Sequence, residues 1–390
     1  MAEKFEVEAV RVTEGKYHWF GYYDKFPWDA SGRYLLGMES PFMDRQPDGS
    51  EPAVIGMIDL HDGNRWIPLD ETLAWCWQQG TMLQWLPSAP DRKIIYNQRQ
   101  GDRFVSVIRD VFSGETITLP RPIYCVSPDG RSAITLNYAR LNRRRPGYGY
   151  PGVVDAWAGD PHPVDDGIFW MNLETGENRL IISYDQIRHL QPKETMAAGQ
   201  HWFNHLTFAP DGARFVFLHR WQHDNPSPRK WLDRFISAQP DGNDIWVVAD
   251  HDFISHFDWY SPTRILAWAN HYTLGMHYLM YTDRTAEVEV LGKDVFFEDG
   301  HCSFSPDRQW MMTDTYPDSE DKRTLILYHM TTGRRIDIGK FYAPPQLEGP
   351  LRCDLHPRWS RDGQQVCIDS AHEGSRQMYV LNVAPIIRSL

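Results

Sequence analysis

One turn recurs seven times along this chain, and no other feature restricts its fold as much. The stretch His201–Arg220 shows the unit whole. Two runs rich in aromatic and β-branched residues suit strands. Between them Ala209-Pro210-Asp211-Gly212 makes a turn, because Pro presets φ and Gly accepts a positive φ. Taking the residue just before each turn as an anchor gives Trp28, Trp85, Val126, Phe208, Trp259, Phe304 and Trp359. Successive anchors lie 57, 41, 82, 51, 45 and 55 residues apart. A four-stranded propeller blade takes roughly 40–50 residues. The expectation is an all-β chain, one domain over residues 1–390, folded as a seven-bladed β-propeller. The long interval holds an insertion rich in Gly, Pro and Asp, read as a loop at about 141–166. The segment Phe5–Val12 is read as an extra N-terminal strand that completes the last blade and closes the ring, removing open edges. A double-sheet sandwich leaves seven copies of one turn unexplained.

The formal charge of −12 excludes nucleic acid as a natural partner. The local exception, Arg140-Leu141-Asn142-Arg143-Arg144-Arg145, reads as a solvated loop or an anion contact. Five cysteines form an odd, scattered set with no CxxC pair, which fits a reducing compartment and a cytoplasmic protein. A chain already trimmed of a signal peptide, hence periplasmic or secreted, would read the same way. No 18-residue apolar run is present, so no membrane association is expected. The 16 tryptophans suit both β structure and carbohydrate-binding surfaces.

Three residues before the anchors of the last four units stand His205, His256, His301 and His356. The first three units carry Lys25, Met82 and Ile123 there, so the fold itself does not require histidine. In a propeller the innermost strands line the central channel, and equivalent positions converge near one mouth. Four imidazoles in register make either a metal site or a catalytic cluster. The second strand of each unit returns to the same face. It brings to the rim Glu39, Asn97, Asn137 with Arg140, His219 with Arg220, Asn270 with His271, Asp314 and Asp369.

Three further stretches are expected at this face: Tyr17–Lys25, Trp75–Gln79, and Asn137 through Tyr150. Aromatics mixed with amides suit sugar rings, whose C–H faces stack while their hydroxyls hydrogen-bond. His18, Trp77, Asn137, Arg140, Tyr148 and His271 are the candidate substrate contacts. No GxSxG elbow, Walker loop, GxGxxG turn or HExxH helix is found.

The runs His201-Trp202-Phe203-Asn204-His205 with Pro210-Asp211-Gly212 and Arg220, Ser255-His256, Asp299-Gly300-His301 and Leu355-His356-Pro357 resemble seven-bladed propeller polysaccharide lyases of the oligogalacturonate lyase and ulvan lyase type. The resemblance implies β-elimination on a uronic-acid-containing glycan. It implies a divalent metal (Mn, Ca or Zn) held by His256, His301 and His356. The base would be His205 or His201, with Tyr138 as the tyrosine alternative, and Arg220 would neutralise the uronate carboxylate. The family's glutamine ligand has no counterpart, since Asp354 and Leu355 occupy its neighbourhood, and Cys302 would favour zinc. Two other readings use the same residues. One is a non-catalytic glycan- or protein-binding propeller with a structural metal. The other is a glycoside hydrolase, which needs two carboxylates, from among Asp24, Glu39 and Asp314. A chain this acidic meets an acidic glycan only through a local positive site, for which Arg220 and Arg140–Arg145 are the candidates.

Overall fold

The computed structural model describes residues 3–222 and 231–389. Among them the strands form seven sheets, one for each turn. Blade 1 comprises Tyr17–Trp19, Tyr34–Ser40, Ala53–Asp59 and Arg65–Thr72; blade 2 comprises Gln84–Trp85, Lys93–Gln100, Arg103–Asp110 and Thr116–Leu119. Blade 3 is Cys125–Val126, Ser132–Thr135, Gly167–Asn172 and Asn178–Ser183; blade 4 is Gln200–Phe208, Phe215–Gln222, Trp231–Ala238 and Trp246–Asp252. Blade 5 is Ile254–Ser261, Arg264–His271, Gly275–Thr282 and Val288–Leu291. Blade 6 is Ser303–Phe304, Trp310–Asp314, Lys322–His329 and Arg335–Tyr342, and blade 7 has Arg358–Trp359, Gln365–Ser370 and Gln377–Asn382 as its first three strands. The chain is a seven-bladed β-propeller.

The N-terminus closes the ring in two pieces rather than one. Ala9–Arg11 pairs antiparallel with Gln377–Asn382 as the fourth strand of blade 7. Glu3–Lys4 runs parallel to the outer strand of blade 6. Between them the Phe5 and Val7 amides still donate to Asp337 and Ile338 of blade 6. The segment thus crosses from one blade edge to the next, and a single strand over Phe5–Val12 could not serve both. The insertion also differs from a plain loop. It opens with a helix, Tyr138–Arg144, capped by the Asn137 side chain, which accepts from the Arg140 amide.

Half of the 16 tryptophans are packing residues. Trp19, Trp28, Trp75, Trp77, Trp202, Trp221, Trp259 and Trp310 are all fully buried. A buried indole N–H needs an acceptor, and three anchors find the same one. Trp85 donates to the Pro27 carbonyl (2.9 Å), Trp259 to Thr207 (3.2 Å) and Trp359 to Ser303 (3.5 Å). Each acceptor directly precedes the anchor of the blade before, so the inner strands of blades 1 and 2, 4 and 5, and 6 and 7 are tied together. The turns touch in the same order. Gly212 has φ +72°, and a Cβ there would lie 3.2 Å from Cδ of Pro128 in the preceding turn. Gly363 repeats the arrangement against Pro306 at φ +70°.

Blade 1 departs from the pattern. Tyr17–Trp19 pairs with Met38–Ser40, and Trp28 bridges Leu35, but residues 20–27 leave the sheet between these contacts. That excursion carries Tyr22 and Tyr23 across the channel. The Tyr23 hydroxyl donates to the Phe257 carbonyl and accepts the Phe257 N–H, both at 3.0 Å. The five cysteines are buried and free. No helix among the described residues is long and apolar enough to cross a membrane.

Candidate active site at the channel mouth

In blades 4 and 5 the position three residues before the anchor is a bulge site. Pairing with the second strand slips between Asn204 and Thr207 in blade 4, and between Ile254 and Phe257 in blade 5. Met82, His205 and His356 share a positive φ there, at 56°, 54° and 41°. Such a conformation costs a β-substituted residue on the order of 1–3 kcal/mol and persists only where the surroundings hold it. A bulge re-aims its side chain out of the strand's alternation. Here it turns the side chains of His205 and His356 toward the channel.

The structure brings His256, His301 and His356 together. Ring centroids of His256 and His301 are 4.0 Å apart, and those of His301 and His356 are 4.5 Å apart. Two carboxylates orient them: His256 Nδ1 lies 2.9 Å from Asp299, and His301 Nδ1 lies 2.8 Å from Asp314. An imidazole nitrogen facing a carboxylate carries the proton, which leaves the opposite nitrogen as a lone pair, the second-shell arrangement of metal-ligating histidines. Nε2 of His301 and Nε2 of His356 are buried with no hydrogen-bond partner. Together with Asp354 they form a set whose ligand atoms lie within 4.8 Å of one another. Two orphaned imidazole nitrogens and one carboxylate fit a divalent metal of the Mn or Zn kind. Asp354 joins the expected His301 and His356 in this set, and His256 stands beside them with its Nδ1 held by Asp299. Cys302 is excluded from the set. It is buried and outside the group of clustered ligand atoms, and burial pushes its thiol well above the ordinary range.

Asp354 is ionised. Burial opposes this, but Arg323 (2.7 Å) and Arg352 (3.0 Å) hold its carboxyl well below the usual range. Arg352 also lies 3.5 Å from the Tyr148 hydroxyl and over the Tyr316 ring. Tyr316 in turn lies 6.4 Å from His256 and from His301.

His205 stands opposite this set. Its ring stacks on Tyr22, with centroids 4.9 Å apart and planes within 10°, and the Tyr22 oxygen is 3.4 Å from Nε2. Tyr22 also contacts His356 at 5.0 Å, so it bridges the two halves of the site. Nδ1 of His205 faces Gln79 (3.4 Å) and the Tyr124 hydroxyl (3.3 Å), which are themselves joined at 2.7 Å. Tyr148 presents its ring edge at 5.6 Å. Burial, then the Arg220 charge, hold His205 well below its ordinary pKa, so it is neutral at pH 7. Burial, then Tyr23, raise Tyr22 well above its own, so it keeps its proton.

The other expected site residues lie elsewhere or serve the fold. His201 is buried, with Nδ1 2.7 Å from His219 Nε2 and Nε2 3.0 Å from the Met196 carbonyl. The Tyr138 hydroxyl donates to the Ile123 carbonyl at 2.9 Å, and burial raises its pKa well above the ordinary value, so it is not a base. Arg140 is wholly buried and binds the carbonyls of His201, Trp157, Asp160 and Pro161, fastening the insertion. Asn137 caps the helix and donates to Asp166. Trp77 packs against Trp19, Trp75 and Phe42. His18 faces Glu39 at 3.2 Å and Trp66. His271 ends the second strand of blade 5, where it meets His251 of the outer strand of blade 4, and its Nδ1 accepts from Thr273. Arg220 lines the His205 side, its Nε held by Asp233 at 2.7 Å. Of the basic run, Arg143 pairs with Asp155, while Arg145 lies over Tyr148 and Trp231.

The three carboxylates considered for hydrolysis are each committed to a different partner. Asp24 pairs with Lys25, Glu39 with Lys16, and Asp314 with His301. Tyr22 and Gln79 fall in stretches expected at this face, Asp299 in a run that carries the resemblance and Asp354 near the place of the missing glutamine, but sequence reasoning gave none of them a role, nor Tyr124, Tyr316 or Arg352. For Asp354 the available signal was its place two residues before His356.

No family model matches the chain, and no curated protein matches it. Solved structures do. An oligogalacturonate lyase in complex with manganese superposes with a TM-score of 0.65 at 14% identity, covering 98% of both chains. An oligogalacturonate lyase from Vibrio parahaemolyticus gives 0.63 at 15% identity, covering 98% of this chain and 97% of that one. The β-propeller domain of the Trilobed protease from Pyrococcus furiosus gives 0.50 at 11% identity, covering 98% and 94%. At these identities the likeness establishes the fold, which hosts many activities.

Proposed function

We propose that this protein is a polysaccharide lyase that cleaves an acidic oligosaccharide beside a uronic acid residue by β-elimination. The observation that carries the proposal is the opposition of a neutral His205, stacked on a protonated Tyr22, to the His301–Asp354–His356 set across the same channel mouth.

β-Elimination removes the proton on C5, forms the C4=C5 double bond and releases the sugar linked at C4. His205, held neutral with its one proton on Nδ1 toward the Tyr124 hydroxyl, takes the C5 proton at Nε2. Tyr22, held as a phenol, gives its proton to the departing C4 oxygen. The result is an imidazolium beside a phenolate across 3.4 Å, and transfer of the proton from Nε2 to the tyrosine oxygen restores both groups. The negative charge that develops on the uronate carboxylate needs fixed positive charge. Arg352 and Arg220 supply it from the two sides of the mouth, and Arg145 adds to the local field that an acidic chain needs to admit an acidic sugar. His301, His356 and Asp354 would hold a divalent metal, whose contribution when bound is Lewis-acid stabilisation of that same carboxylate. Tyr148 and Tyr316 wall the space between the two halves.

The test is ultraviolet absorbance of the conjugated unsaturated uronate, followed over a panel of acidic oligosaccharides before chelation, after chelation, and after metal is restored. Absorbance that rises and is abolished by chelation supports the proposal in full. A flat trace over the whole panel, with the protein still binding metal, would leave the set as a structural cation site and sink the lyase.

A further inference from the structure

A cavity of about 440 Å³ lies away from the channel mouth, between blades 2 and 3 and beneath the inserted segment. Arg121 forms one wall. Its guanidinium lies over the Phe169 ring, 3.5 Å from the centroid, and its Nε donates to Asn178 at 2.6 Å. Those two contacts fix the plane of the fork and occupy one of its edges. The Nη1–Nη2 edge has no acceptor among the described residues, although the side chain is half-buried. A partly desolvated guanidinium whose paired N–H groups lack an acceptor is matched by a carboxylate, which takes two parallel hydrogen bonds.

The rest of the lining limits the charge and shape of the occupant. Asp166 is buried and forms no ion pair among the described residues; it accepts from Asn137 (2.8 Å) and from the Gly167 amide (2.9 Å). Burial raises its carboxyl to about 6. Arg121 is the half-buried cation of the lining and Asp166 its buried carboxyl, while Arg103 and Asp102 are an exposed pair of opposite sign at the rim, so the cavity suits a single negative charge better than a doubly charged phosphate. Trp157, half-buried in the roof, offers an aromatic face for sugar C–H groups, and Asn178 and Asp166 offer partners for hydroxyls. The volume lies in the range of small-ligand sites, roughly 300–1,000 Å³.

We propose that this cavity is a second glycan site, which binds the carboxylate of one hexuronic acid residue on the free edge of Arg121. The choice of a sugar acid over other monocarboxylates rests on the proposed lyase activity, whereas the demand for one carboxylate rests on the cavity alone.

Isothermal titration of the whole protein with galacturonate, glucuronate, galactose and glucose 6-phosphate tests this, with His205→Ala as the background that prevents turnover. A hexuronate should bind, galactose at least tenfold more weakly, and glucose 6-phosphate no more tightly than the hexuronate. Arg121→Met should weaken hexuronate binding at this site at least tenfold. Trp157→Ala, which leaves the guanidinium packing untouched, should weaken it as well, and thermal melting checks that both variants are folded. Hexuronate binding that is unchanged in both folded variants, or absent at tens of millimolar in the parent, overturns the proposal. Tighter binding of the phosphate overturns the carboxylate assignment. Because binding is read without turnover, a protein that fails as a lyase can still show this site, and an active lyase can still lack it.

Discussion

Tyr22 lies flat on His205, and its oxygen stands 3.4 Å from Nε2 although the two residues come from blades 1 and 4. In the proposed elimination this contact lets two groups with opposite tasks share one proton. Tyr22→Phe keeps the stacking and removes only the hydroxyl. We expect kcat to fall about 10–100-fold with KM nearly unchanged, within the range of positioned acid–base groups. Steady-state kinetics check it, and an unaltered kcat would remove Tyr22 from the chemistry.

His205→Ala should cost about 10²–10⁴-fold in turnover while substrate still binds. Equilibrium binding of an acidic oligosaccharide, measured beside product formation, separates the two effects. Loss of binding with no separate loss of turnover would make His205 a contact rather than the base.

Gln79 sets which nitrogen of His205 carries the proton. The base role needs the proton on Nδ1, which the Tyr124 oxygen can accept while its hydroxyl donates to Asn204; a Gln79 amide turned with its oxygen, otherwise buried without a partner, toward the ring favours that form and frees Nε2. Gln79→Glu presents only acceptors and strengthens the imidazolium. Turnover should survive in this variant, with the acidic limb of the kcat/KM profile moved to higher pH. In Gln79→Met turnover should drop. An acidic limb at the same pH in wild type and Gln79→Glu would show that Gln79 does not act through His205.

Asp314 accepts from His301 Nδ1 at 2.8 Å and from its backbone N–H at 2.7 Å. Asp314→Asn should reduce metal affinity about 10–100-fold, as loss of second-shell partners does. Metal content after dialysis, measured against competing chelator, is the readout, and equal retention by both proteins would count against the set.

The His201–His219 pair predicts acid sensitivity of the fold. Burial lowers His201 to about 4 and His219 well below its ordinary value. As pH falls below 6.5 the unfolded chain takes up the proton first. The contribution of a neutral His201 is therefore complete above pH 6.5 and is lost as pH falls toward 4, by about 3 kcal/mol. Urea unfolding at pH 7 and pH 4.5 should show a smaller stability loss for His201→Gln than for wild type. Equal losses would contradict the assignment.

The sequence alone determined the sevenfold repeat, the closed ring and the shared position of four histidines. These are written in local chemistry, in a turn whose Pro, Asp and Gly act within four residues and an anchor that fills one slot per blade. Register along a repeat is also a one-dimensional quantity, so His256, His301 and His356 could be placed together by counting. Which side chains complete the site was decided by the tertiary structure. Tyr22 reaches His205 only because residues 20–27 leave blade 1, and the length of that excursion is not a property of the repeat. Arg140 and Trp77 looked like rim residues and proved to be buried fasteners, because polarity and aromaticity in sequence do not say whether a partner is a ligand or a backbone carbonyl. Only distances between blades separate those cases, and they depend on how the seven sheets pack around the channel.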